Sequence, residues 1–503
     1  MSSSAPCRAL AALALLLVPA RADEPKSTPQ ERAASVTREG TIGGVAMTWS
    51  ATAGTLLLRE DGQKPKASVF YVAYLQQGVE DPSSRPITFA FNGGPGSSAV
   101  WLHLGALGPR RVALDEEGQA PRPPGRLEDN PEAWLDLTDL VFVDPVTTGY
   151  SRAVEGEEAR QFHGVEEDVA WMSEFIRLWT TRHGRWSSPK FLVGESYGTT
   201  RVAALAHHLA ERHGLLVNGV VLISPVLEFG TIRFDPGNED PYWLFLPSYT
   251  AVAWHHRKLA PELQETPLEE LLPRVEAWSR EQYLPALAAG DALPGEVRER
   301  VVRELAAFSG LSPTFVRRSR LRVSMGAFAK ELLREQGLIL GRFDGRYVGR
   351  DPEEAGDSPR SDPSYSAVRG PFTAAINDLL RRDLGWESDV PYEVLTGRVH
   401  PWSYPAQNRY LNVADRLRDA VLRNPYLQVL TCVGLFDLAT PYAAIDHTMN
   451  RLELTPELRG NLHRATYRAG HMMYLRASER TKLKADAARF YTAALGGSAG
   501  RVR

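Results

Sequence analysis

Apolar residues recur along this chain in two rhythms. Alternating or β-branched runs at Val45 to Ser50, Gly54 to Arg59, Ala67 to Leu75, Ile87 to Phe91 and Leu140 to Asp144 predict strands in the first third. Phe191 to Gly194 and Val217 to Ser224 continue the series, and Leu427 to Gly434 with His463 to Arg468 close it. Helix-compatible stretches, Glu166 to Thr181 and Thr199 to His213, separate the middle strands. Strands alternating with helices predict a largely parallel sheet, with the first hairpins antiparallel at one edge.

The strand rhythm then stops. Leu259 to Ala289, Glu296 to Phe308 and Met325 to Gln336 read as helices joined by Pro- and Gly-bearing connections, and strands resume only after Pro425. We therefore expect a catalytic core of residues 40–232 and 395–495, with a largely helical cap, 233–394, inserted before the last strands and sitting over the strand ends. Gly345 to Gly370, rich in Gly, Pro, Asp and Ser, reads as a mobile loop of that cap.

One pentapeptide carries chemistry. Gly194-Glu195-Ser196-Tyr197-Gly198 follows a strand and opens a helix, the layout of a nucleophile elbow. Gly496-Gly497-Ser498-Ala499-Gly500 fits the same pattern without a preceding strand, so setting decides. A serine nucleophile needs a base, an orienting acid and backbone donors for the oxyanion. Asp437 follows the run Val429 to Val433, and His471 follows the last strand. Singly, Asp437 also reads as a turn cap, His471 as an ordinary half-buried histidine and Ser196 as a turn serine. The order Ser196, Asp437, His471 at successive strand ends favours a triad on an α/β-hydrolase fold. Asn92-Gly93-Gly94-Pro95-Gly96 follows the strand Ile87 to Phe91, where the N–H groups of Gly94 and Tyr197 would converge on an oxyanion. The same glycines formally fit a dinucleotide fingerprint, but Pro95 removes a donor and no matching unit opens the chain. No histidine set has metal-ligand spacing, so neither metal nor cofactor is expected.

Charge narrows the partners. The 503 residues carry 58 basic and 61 acidic side chains, a formal net charge of −3, with no basic stripe for nucleic acid or polybasic membrane attachment. Arg8, the apolar run Ala9 to Val18 and Ala20-Arg21-Ala22 read as a signal peptide over residues 1–22, too short to span a bilayer. We expect export to a bacterial periplasm or exterior without stable membrane insertion. Cleavage removes Cys7 and leaves Cys432 as a buried apolar residue with no intrachain disulfide. Trp243, Tyr249, Trp254 and Trp402 read either as pocket lining or as packing, and the oligomeric state stays open.

With these segments assembled, the chain resembles the serine carboxypeptidases, particularly bacterial members, from about residue 40 to residue 490. The resemblance rests on Phe91-Asn-Gly-Gly-Pro-Gly96, Val143-Asp144-Pro145 leading to Gly149-Tyr150-Ser151, Gly194-Glu-Ser-Tyr-Gly198, the Asp437 loop and Gly470-His471-Met472. It implies a Ser196, Asp437, His471 triad, Gly94 and Tyr197 as oxyanion donors, and Asn92 and Glu195 as ligands of a substrate's free C-terminal carboxylate. A protonated Glu195 would donate to that carboxylate, implying peptide substrates with a free C-terminus and a preference for acidic pH. Three positions depart from the family: Ala106 replaces a usual glutamate, Asp144-Pro145 shortens Asp-Gln-Pro, and Thr440 stands where a cysteine is common. Ala106 keeps an esterase or acyltransferase on the same scaffold as the alternative. A noncatalytic binding protein is a third reading, and an aminopeptidase relative would commonly carry histidine where Asn92 stands.

Overall fold

The computed structural model describes residue 1 and residues 29–496, so the signal-peptide reading and the second glycine-serine motif lie outside the described residues. A 10-stranded sheet organises the rest. Its strands are β1 (Ala33–Ile42), β2 (Val45–Glu60), β3 (Lys64–Gln76), β4 (Ile87–Phe91), β5 (Asp139–Val143), β6 (Arg152–Ala153), β7 (Lys190–Glu195), β8 (Gly219–Ile223), β9 (Gln428–Gly434) and β10 (Leu462–Tyr467). The spatial order is β1-β2-β3-β5-β4-β7-β8-β9-β10, with β6 paired to β3. Pairing is antiparallel from β1 to β5 and parallel from β5 to β10.

Strands β4, β5 and β8 are buried on both faces, as their continuous apolar sequences require in a parallel sheet. Helices cover each side. Val169 and Phe175 of α1 (Val165–Arg182) and Val202 and Leu205 of α2 (Tyr197–His213) join Phe89 and Leu192 in one core. Phe191 and Val193 point the other way, into a second core with Phe490 and Tyr491 of the C-terminal helix Ala477–Ala494. This is the α/β-hydrolase fold.

Several elements differ from the sequence reading. The two runs at 45–50 and 54–59 are one strand, because Ala51, Ala53 and Leu56 stay buried across the expected break. β1 was not expected: its polar residues face solvent and it is held by backbone pairing to β2. Between β8 and β9 the chain is largely helical, but it also contains Asp240–His255, an apolar helix without a polar face to betray its period. The supposed loop over 345–370 ends in helix from Pro363 onward. Asp362 caps Pro363–Asp378 by accepting from the N–H groups of Ser364 and Tyr365, with Pro363 at the first helical position.

The chain runs from β4 outward to β5, then returns across β4 to β7, so the strand order reverses between β4 and β7. Open α/β sheets present their ligand crevice at such a reversal, beyond the strand C-termini. There Arg201 of α2, 1% exposed, donates from Nε to Asp168 of α1 at 2.8 Å and from a terminal nitrogen to the Asn92 carbonyl at 2.7 Å. Removing one member of a buried pair strands the other charge, at a cost of about 3–5 kcal/mol. Asp168→Ala is expected to lower stability by about that amount in chemical denaturation; a loss under ~1 kcal/mol would show that the pair does not brace this strand end.

Candidate active site

Ser196 occupies the turn between β7 and α2 with φ 58° and ψ −128°, a backbone region costly for a residue with a side chain. Its N–H donates to the Ile223 carbonyl at 3.0 Å, and its carbonyl accepts from Thr199 N at 2.8 Å, which holds the turn from both sides. The turn after β4 is pressed against it. A Cβ at Gly93 would stand 2.6 Å from Tyr197 N and 2.7 Å from the Ser196 Cβ, and one at Gly198 would stand 2.6 Å from the Phe91 carbonyl oxygen. Neither position admits a side chain. Tyr197 N–H, at the first position of α2, has no intrahelical acceptor. Gly94 and Ser196 line one cavity of about 320 Å³ together with Glu195 and His471.

Asp437 and His471 arrive from the turns after β9 and β10. His471 Nδ1 lies 2.7 Å from Asp437 Oδ2, with both residues buried. That contact assigns the proton to Nδ1 and leaves Nε2 as the free acceptor. Asp437 Oδ1 accepts from the N–H groups of Ala439 and Thr440 at 2.7 and 3.0 Å, while the Thr440 hydroxyl donates to Oδ2 at 2.8 Å. Thr440 therefore steadies the carboxylate. Ser224, at the end of β8, donates to the His471 carbonyl at 2.6 Å, and Phe343 stacks on the imidazole with centroids 5.1 Å apart. Burial pushes the imidazole's pKa down, but the Asp437 charge and hydrogen bond outweigh it and the net shift is upward.

Comparison with known proteins bears on this geometry. Residues 53–226 match the family model described as serine carboxypeptidase. Serine carboxypeptidase-like 46 of Arabidopsis thaliana is 28% identical over 178 residues, covering 34% of this chain and 35% of that protein. Serine carboxypeptidase-like 50 of the same plant is 31% identical over 149 residues, covering 29% and 31%. The chain spans about a third of the length of the curated relatives it matches. A crystal structure of Kex1(delta)p, a prohormone-processing carboxypeptidase from Saccharomyces cerevisiae, superposes with a TM-score of 0.54 at 16% identity, over 87% of this chain and 92% of that one. The superposition establishes a shared fold. The matched segment contains Asn92, Gly94, Glu195, Ser196 and Tyr197; Asp437 and His471 lie beyond it.

The remaining expected residues are also close by. Glu195 is 3% exposed, and burial pushes its carboxyl up to about 7, opposed in part by the His471 charge and by the hydrogen bond from Tyr474. Asn92 is fully buried. Its Oδ1 accepts from Leu102 N at 3.1 Å, while Nδ2 has no partner at hydrogen-bonding distance among the described residues, near enough to Glu195 to oppose the rise slightly. Ala106 is buried, and its carbonyl accepts from Asn130. Tyr474 closes its ring on the adjacent Gly105, and its hydroxyl donates to Glu195 Oε2 at 2.5 Å.

Sequence reasoning missed Tyr474, although it lies three residues after His471 in the same turn. Asp144, present in the block Val143-Asp144-Pro145 without an expected role, is buried after β5, and its Oδ1 accepts from Ala99 N at 2.9 Å and ties this turn to the glycine loop. Burial raises that carboxyl as well, to about 7. None of the four aromatic candidates lines the cavity: Tyr197 packs edge-on against Trp402, Tyr249 stacks on Phe328, and Trp243 and Trp254 join the surrounding apolar core. Trp101, Phe343 and Tyr365 line it instead.

Glu195, Asp144 and His471 all have folded-state pKa values above their ordinary ones, so each contributes stability below the ordinary value that is lost as pH rises through the raised one. Their combined contribution therefore weakens as pH rises towards about 7 and beyond, and the melting temperature of Glu195→Gln, taken relative to wild type, should rise between pH 5.5 and pH 8. An unchanged slope in Glu195→Gln, measured calorimetrically, would contradict the assignment.

Proposed function

We propose that this protein is an exported bacterial serine carboxypeptidase, releasing C-terminal residues of peptides through an acyl-enzyme at Ser196. The observation that carries this reading is Glu195: a buried carboxyl adjoining the nucleophile, held near neutrality by burial and gripped by Tyr474. A protonated Glu195 donates to a substrate's terminal carboxylate, with the free Nδ2 of Asn92 as a second donor. Tyr474 occupies Oε2 and thereby directs the acid proton to Oε1, supplying the polar partner that Ala106 lacks.

The terminal carboxylate so held brings the last peptide carbonyl to Ser196. His471 Nε2 takes the hydroxyl proton as Oγ attacks, Asp437 stabilises the imidazolium, and the N–H groups of Gly94 and Tyr197 receive the oxyanion. His471 then protonates the leaving amine, and water repeats the sequence to release the acyl group. Glu195 and His471 titrate as a pair: the Glu195 charge is one cause of the raised His471, so neutralising Glu195 also favours the neutral base. The working state holds both groups uncharged. No cofactor, metal or nucleic acid enters this scheme, and no helix of the described residues is long and apolar enough to cross a membrane. The N-terminal pattern Arg8, Ala9 to Val18 and Ala20-Arg21-Ala22 supports export to a periplasm or exterior.

Ala106 supports one alternative, an esterase or acyltransferase with the same nucleophile. Digestion of a mixed pool of free-acid and amidated peptides from pH 4 to 8 separates the two. We expect Ser196-dependent loss of single C-terminal residues from free acids, declining above about pH 7 as Glu195 ionises. Neutral ester hydrolysis, which needs no carboxylate clamp, should persist to pH 8. Peptides left intact while esters turn over would mean that the alternative holds, and turnover retained in Ser196→Ala would exclude both. In Tyr474→Phe the alkaline limb for free-acid peptides should move to higher pH, because the hydrogen bond from Tyr474 opposes the rise of the Glu195 carboxyl. An unmoved limb would show that Tyr474 does not act through Glu195.

A further inference from the structure

The cavity over Ser196 contains a cation that this mechanism leaves unused. Arg342 is the only lysine or arginine among the described residues that line it. Its backbone is firmly placed: the N–H donates to Asp362 Oδ1 at 3.0 Å, and the carbonyl accepts at 3.1 Å from the N–H of Leu438, the residue after Asp437. The next carbonyl, of Phe343, accepts from His471 N at 2.6 Å. The guanidinium lies 5.6 Å from the Phe343 ring centroid, and that ring stacks on His471, so the cation is one ring removed from the imidazole.

Arg342 is exposed to solvent although protein surrounds it, as befits a group at a cavity mouth. It has no ion pair or side-chain hydrogen bond with any described residue; Asp362 and Asp437 act on it only through longer-range charge. Arg233, whose charge opposes that of Arg342, rests on the Phe229 ring, while three other arginines of this segment are ion-paired. Arg346 grips Asp344 through two nitrogens, Arg334 pairs with Glu331, and Arg360 with Glu353. A guanidinium is a planar fork that matches a carboxylate, so one left unpaired beside a substrate cavity has its donors available to an anionic guest.

We propose that Arg342 selects substrates bearing a carboxylate next to the bond that Ser196 cleaves. The inference rests on the carboxypeptidase reading and adds a substrate class to it. Such a carboxylate has two sources, an Asp or Glu side chain flanking the scissile bond or the terminal carboxylate itself. The side chain fits better, because Asn92 and Glu195 stand at the ends of β4 and β7, whereas Arg342 belongs to the segment bonded to the Asp437 and His471 turns.

The test uses the full mature chain and blocked dipeptides carrying Glu or its neutral isostere Gln on either side of the scissile bond, as free acids and as amides. The wild type should prefer Glu over Gln about tenfold in kcat/KM at one position, the discrimination of one charge-assisted hydrogen bond. Arg342→Gln should bring that ratio to within about twofold, and Arg342→Glu should invert the preference towards Lys. Each ratio is taken within one variant, so a general loss of turnover does not mask it. If Arg342→Gln instead lowers Glu and Gln substrates alike and erases discrimination between free acids and amides, the terminal carboxylate is the guest and the side-chain assignment falls. Equal turnover of Glu and Gln in the wild type, unchanged in both variants, overturns the proposal altogether. Inhibition of Ser196-dependent neutral ester hydrolysis by N-acetylglutamate against N-acetylglutamine gives an arm that needs no peptidase activity. An Arg342-dependent tenfold difference there, with no peptide cleaved, would retain Arg342 as the carboxylate ligand while refuting the carboxypeptidase reading.

Discussion

The whole site depends on how closely two turns of backbone approach each other. The chain leaving β4 and the chain leaving β7 touch at Gly93, Ser196 Cβ and Tyr197 N, at distances no pair of side chains permits. This contact forces the positive φ of Ser196, turns its side chain to the crevice and aligns the first N–H of α2 with the glycine loop. Such a strained turn persists only where its surroundings over-determine it. Here the surroundings are the bonds of Ser196 to Ile223 and Thr199 and the buried Arg201, which binds the Asn92 carbonyl from beneath. The strain is localised at the residue proposed to react, and the parallel sheet beneath bears it.

Two buried carboxylates flank that turn, and their partners differ. Asp437 accepts from two backbone N–H groups and the Thr440 hydroxyl before it meets His471, a set of donors that fixes its orientation. Glu195 receives the Tyr474 hydroxyl and otherwise lies in a dry interior, which favours its protonated form. In the proposed scheme one acid orients the base while the other offers a proton to a ligand. The division of labour follows from hydrogen-bond supply, since both groups are equally sheltered from water.

The sequence made the core of this arrangement legible because it is local. Strand, glycine, serine, glycine, helix is a continuous signal; Asp437 follows a strongly apolar strand, and His471 follows a shorter one that mixes polar and apolar residues. Element bounds in the parallel sheet were readable to within a residue or two for the same reason. The polar strand β1 carried no apolar period to read, and the helix Asp240–His255 is apolar on every face. Tyr474 illustrates a deeper obstacle. Its neighbours in the chain include the proposed triad histidine, but its relation to Glu195 and to Gly105 exists only in three dimensions.

The segment between β8 and β9 shows the same division between what local pattern and tertiary packing can specify. Its aromatic residues that stood out in the sequence pack inward, whereas the groups lining the cavity are less conspicuous: Phe343 on the imidazole, Tyr365 at the start of a helix capped by Asp362, and Arg342 over the Phe343 ring. Asp362 both caps that helix and accepts from the Arg342 backbone, so helix start and cavity wall are one construction. Because the Arg342 and Phe343 carbonyls bond to the Asp437 and His471 turns, this wall is registered directly against the proposed triad. An insertion fastened to the chemical groups themselves can vary its outward side chains without disturbing the base and acid it touches. That makes it the part of the molecule where substrate preference can change while the reaction stays the same.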